Sequence, residues 1–157
     1  MKGYAAPLLL AFICSACATA EPLPAKARYV AFEKALTGSE DASPFGRYLS
    51  NRIMAIHEKA ETDEELASLR NQGAFPLWLK EETTFHERRT DNGRCLTVSG
   101  TTFDGEPGYM AVRFITEDGA LRADDIHYNY PETADDFPSK AICPDEITLS
   151  FPGSDDT

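Results

Sequence analysis

The chain has 157 residues, with 26 Asp and Glu against 15 Lys and Arg and a formal net charge of −11 at pH 7. Binding to nucleic acid depends on Lys and Arg displacing counterions, so a body this acidic is repelled by phosphate backbones and nucleic acid is excluded as a partner. The length fits one domain around one core, and the absence of self-similarity at periods of about 20 to 50 residues excludes solenoids.

Met1 and Lys2 precede an apolar run from Tyr4 to Ile13, after which small residues occupy Ser15 to Ala20. This is the layout of a secretory signal, with an apolar core of about ten residues, half the roughly 20 that a bilayer-spanning helix needs. Two cuts compete. Ala18-Thr19-Ala20 offers small residues to an ordinary signal peptidase, removing 1–20 and leaving a soluble chain that starts at Glu21. Cys14-Ser15-Ala16-Cys17 instead resembles the lipobox of bacterial lipoproteins, with Cys14 standing where Leu is usual. That resemblance implies a signal peptide of 1–16, a lipid on Cys17 as the new N-terminus, and a protein held to a membrane by its anchor. Ala18 in place of Asp after the cysteine implies sorting to the outer membrane, with the folded body on the periplasmic side. Residues 17–28, with Pro22 and Pro24 and no periodic pattern, read as a tether.

A single domain over 29–151 follows. Tyr29, Phe32 and Leu36 share one helical face and Gly38 stops it. Ser43-Pro44 then supplies a cap and a first-turn proline to a helix carrying Phe45, Tyr48, Leu49, Ile53 and Ile56 on one face. Thr62 with Glu65 forms a capping box for a third piece, which carries Leu66 and Leu69 and closes near Gly73.

The period then changes. Turn signals at Asp91-Asn92-Gly93, Asp104-Gly105-Glu106-Pro107-Gly108 and Glu117-Asp118-Gly119 divide the chain into strands over 80–90, 95–103, 109–116 and 121–130. Leu96 and Val98, and Met110, Val112 and Phe114, alternate with polar residues, so one sheet face is buried and the helices cover it. In the fourth strand Leu121 and Ala123 lie on one parity and Ile126, Tyr128 and Tyr130 on the other. A one-residue bulge near Asp124-Asp125 would bring both groups to the same face; the alternative is that both faces are partly covered. The fold class is therefore α+β, with N-terminal helices packed on a curved antiparallel meander of about four strands. Residues 152–157 are short and acidic and read as a frayed tail.

Setting aside the two cysteines of the export segment leaves Cys95 and Cys143, and an even pair in an exported chain reads as a disulfide. The bond would pin the segment after the fourth strand, and with it Ile147, Leu149 and Phe151, against the sheet.

Helices followed by a meander whose last hairpin reads TEDGALRADDIHY resemble the nuclear-transport-factor-2-like superfamily, the cone-shaped fold of ketosteroid isomerases. That superfamily has a strand between its second and third helices for which this sequence offers no counterpart. The resemblance implies a pocket between sheet and helices, to which Asp124, Asp125, His127 and Tyr128, with His86, are the matching candidates. Strand alternation sets His127 and Asp125 opposite Tyr128, so no catalytic residue is assigned and the inward wall is expected to be apolar and aromatic. Glu81, Glu82, His86, Glu87, Arg88 and Arg89 read as a solvated strand flank; the alternative is that Arg88, Arg89 and Arg94 anchor a partner. Three scattered histidines, His57 among them, make no metal site, and no cofactor motif is present. The functional reading is an exported envelope lipoprotein acting as a non-enzymatic binding or protein-interaction domain, taking a small apolar ligand in the cone or a protein partner on the sheet. The alternatives are a periplasmic immunity-type inhibitor of a secreted toxin and a small isomerase or hydrolase using the cone pocket.

Overall fold

Pro24 accepts the first helical hydrogen bond, from Arg28 N at 3.0 Å, and opens α1 (Ala25–Gly38). The computed structural model describes residues 24–38, 45–58 and 75–147. The signal segment, Cys17 and both cleavage sites, the third helical piece between Thr62 and Gly73, the side chain of His57, Leu149, Phe151 and the tail 152–157 lie outside them. The helix starts inside the stretch 17–28 read as a tether, because Ala25 is fully buried in the core and extends the apolar stripe of Tyr29 and Phe32 by one turn.

The second helix departs from its periodicity. One face over three turns predicts a continuous rod, but α2 (Phe45–Tyr48) and α3 (Asn51–Glu58) are separated at Leu49 and Ser50. Leu49 forms a parallel bridge with Ala123, and Ser50 N donates to Ala123 O at 2.8 Å, so the chain leaves the helix to pair with a strand. Ser50 then restarts it as a cap: its Oγ accepts from Ile53 N at 3.2 Å. Ile56, expected on the buried face, is 48% exposed beyond the break.

Four strands follow in a meander: β1 (Leu79–Thr90), β2 (Gly93–Thr102), β3 (Pro107–Glu117) and β4 (Ala120–Asn129), antiparallel and in the spatial order of the sequence, so β1 and β4 are the edges and the sheet does not close. The fold is α+β, as the change of period implies. The bulge stands where the parity switch demands it. Arg113 pairs with Asp125 and Phe114 with Ala123, leaving Asp124 as the extra residue. Leu121, Ala123, Ile126 and Tyr128 consequently all join the core. β1 also changes register, between Leu79 and Glu81 and between Glu82 and Thr84. Opposite these shifts Gly100 lies so close to β1 that an added Cβ would stand 2.0 Å from Glu81 O.

The core lies between α1 and the sheet, where Tyr29 and Phe32 meet Leu96, Val98, Met110, Val112 and Phe114. Phe32 is its hub, stacked on Tyr48 at 4.7 Å and meeting Phe75 at 5.6 Å and Phe45 at 5.8 Å. The expectation that only one sheet face is buried needs correction. Cys95, Thr97, Ser99 and Ala111, on the other face, are also fully buried. The chain after β4 turns back across them.

Candidate binding groove

Residues 139–147 form a strap with little regular structure of its own, only a single 3-10 turn at Pro144–Glu146. A segment without a ladder must satisfy its backbone elsewhere. Ile142 does so on one side chain: its N donates to Thr97 Oγ1 at 2.9 Å, and Thr97 Oγ1 donates to Ile142 O at 3.2 Å. Cys143 is joined to Cys95 of β2, with Cα atoms 5.2 Å apart, as the cysteine count implies. Arg88 of β1 reaches both Glu146 and Cys143 Sγ, and Arg113 of β3 pairs with Asp145. The strap is thus tied to three adjacent strands.

Between this strap and β1 runs an open groove of about 610 Å³. Phe85, His86, Glu87 and Arg88 line one side, and Ser139, Lys140, Ala141, Ile142 and Glu146 the other. Glu87 is already paired, with Arg94 at 2.5 Å, and its other oxygen accepts from Lys26 N at 3.2 Å. Lys140 has no ion-pair partner among the described residues. The groove therefore carries an unpaired cation on an acidic protein.

The residues singled out from sequence divide between two places. Asp124, at the bulge, accepts from Ser50 Oγ at 2.7 Å and from Arg52 Nε at 3.0 Å, which ties α3 to β4. Its partners are a hydroxyl and a guanidinium, and it lines no part of the groove. Asp125 and His127 face each other at 3.7 Å on the opposite side of the sheet from Tyr128, as strand alternation requires. Burial pushes the Tyr128 hydroxyl up to about 12, so it holds its proton throughout the neutral range. His86 alone of the cone candidates lines the groove.

The strand flank is less solvated than its composition implies. Tyr29 OH lies 2.7 Å from Pro76 O and 2.5 Å from Glu82 Oε1, and burial, then Glu82, raises the Tyr29 pKa. Burial, followed by the nearby charge of Glu82, also raises Glu33. Arg88 and Arg94, read as anchors for a partner, are instead engaged by Glu146 and Glu87. What sequence reasoning missed is Lys140 and the groove, since residues 131–142 carry no period; Cys143 alone signalled that this segment returns to the sheet.

Glu146 gives the strap a pH dependence of definite sign. Its carboxylate accepts from Cys143 N at 2.6 Å and then from Arg88, which together hold it below the ordinary carboxylate value of 4.5. A carboxyl whose folded pKa is depressed contributes attachment that is present above the unfolded value and is lost as pH falls through the folded one. In an NMR titration the Cys143 amide of the parent should therefore shift with a midpoint below 4.5. Glu146→Gln should flatten that step. Glu33 works in the opposite direction, disfavouring the folded state as it ionises, so parent and variant must be compared at each pH. A midpoint at or above the ordinary value would contradict the contact.

No protein-family model, no curated protein and no solved structure matches the chain.

Proposed function

We propose that this chain is an exported envelope lipoprotein, anchored through Cys17, whose folded body is a non-enzymatic binding and protein-interaction domain. The observation that carries the reading is the groove of about 610 Å³, walled by a sheet edge on one side and a disulfide-tied strap on the other. That volume lies within the roughly 300 to 1,000 Å³ typical of binding clefts. The Cys95–Cys143 pair supports an oxidising compartment. Aromatic side chains of Tyr29, Phe32, Phe75 and Phe114 occupy the space between α1 and the sheet, which favours the groove over the cone as the binding surface.

The test uses the envelope itself. A photo-crosslinking residue at His86 should trap a partner in living cells, and Ser139→Trp, at an exposed groove position, should abolish the trapped species while leaving the thermal midpoint unchanged. Cys17→Ser should release the chain into the soluble fraction. Crosslinking that ignores the groove variant, or a Cys17→Ser chain that fractionates like the parent, would remove the corresponding half of the proposal.

A further inference from the structure

The two edges of the sheet are treated differently. Along residues 121–124 of β4 outward carbonyls are occupied: Ala123 O accepts from Ser50 N at 2.8 Å, Leu121 O from Arg28 Nε at 2.8 Å, and Asp124 O from Arg52. At β1, among the described residues, nothing hydrogen-bonds to the backbone of residues 85–88 on the side away from β2. Those four consecutive residues all line the groove. Side chains of successive strand residues point to opposite faces, so a groove touching all four reaches the backbone of the strand and borders its open edge.

An open edge invites pairing, and charged side chains ordinarily prevent it. Here Glu87 is neutralised by Arg94 and Arg88 by Glu146, while Lys140, across the gap, has no ion-pair partner among the described residues. The net charge of −11 opposes a second copy of the chain as occupant. We infer that the groove takes an extended peptide segment of a partner protein, which adds a strand to β1 at residues 85–88 and sets a carboxylate side chain against Lys140. Main-chain hydrogen bonds supply the affinity of such an addition, and the neighbouring side-chain contact supplies its specificity. The inference rests on the groove being the binding surface and adds the chemical class of what it binds.

The experiment measures fluorescence anisotropy of labelled, end-capped heptapeptides against the purified chain. The acidic strand TVEVEVT should bind. Its basic counterpart TVKVKVT should bind at least fivefold more weakly, and TVEVEVT methylated on alternate backbone nitrogens should not bind, since it keeps the carboxylates and loses the strand donors. Lys140→Glu should weaken the acidic peptide about fivefold or more, because an attraction becomes a repulsion. Lys34→Glu, an exposed site on α1, should leave it unchanged. Equal binding of the methylated peptide would overturn strand addition, and equal binding of the basic peptide would overturn the role of Lys140. A concentration-dependent dimer that excludes the peptide would make a second copy the occupant and overturn the inference. Failure of every peptide while His86 crosslinking to an envelope partner persists would sink this inference and spare the binding-domain reading; loss of both would remove both.

Discussion

Replacing Cys95 and Cys143 together by Ala should lower the unfolding free energy by about 4 kcal/mol, the loop-entropy value for closing the 48-residue separation between them. Both residues are buried, Cys95 fully, so alanine leaves only a small void and no exposed thiol. The effect should therefore act mainly on the denatured ensemble. Thr97, Arg88 and Arg113 still hold the strap in the folded state, so the urea midpoint should fall while the slope holds or rises, as the uncrosslinked denatured chain exposes more surface. A fall in slope as well would mean that the strap detaches and that the groove exists only in the oxidised chain. An unchanged midpoint would mean that the reduced, unfolded chain is already compact around this pair.

Phe32→Ala should cost about 3 to 5 kcal/mol, the usual range for a buried aromatic truncated in a core. The magnitude follows from position. Phe32 is 1% exposed and touches rings from α2 and from residue 75 as well as its own surroundings on α1. Removing it loosens the junction where Leu49 and Ser50 pair with β4, so the break between α2 and α3 should lose definition with the stability. Phe32→Leu, which keeps most of the volume, should cost under about 1.5 kcal/mol. Chemical denaturation of the two variants checks the pair. Equal and small losses would show that the aromatic cluster is not the centre of the core.

Much of the sheet was legible in the sequence, and the reason is local. The three acidic-Gly or Asn-Gly turns punctuate it, and the parity switch between Ala123 and Ile126 located a bulge that the strand pairing shows at Asp124. The broken helix was not legible, because Leu49 and Ile53 keep helical spacing and the contact that interrupts them, with Ala123, is distant in sequence. The second buried face was hidden for a different reason. Thr97 and Ser99 look solvent-facing in an alternating strand, and only a returning segment without pattern of its own makes them interior. The candidate groove inherits that opacity, since Lys140 and Ser139 belong to the segment that returns. The expected pocket between sheet and helices directed attention to the cone rather than to the edge where the groove lies.

The closing of β4 by Ser50, Arg28 and Arg52 bears on stoichiometry. A sheet with two receptive edges is a repeating unit: each added strand leaves another edge to grow from, which is how filaments propagate. A sheet with one edge capped is a chain terminator. Two copies could pair β1 to β1, but along residues 121–124 the other edge offers no free carbonyl to a third. Titration should then saturate at one peptide per chain, and concentrated protein should form no fibres through its own sheet.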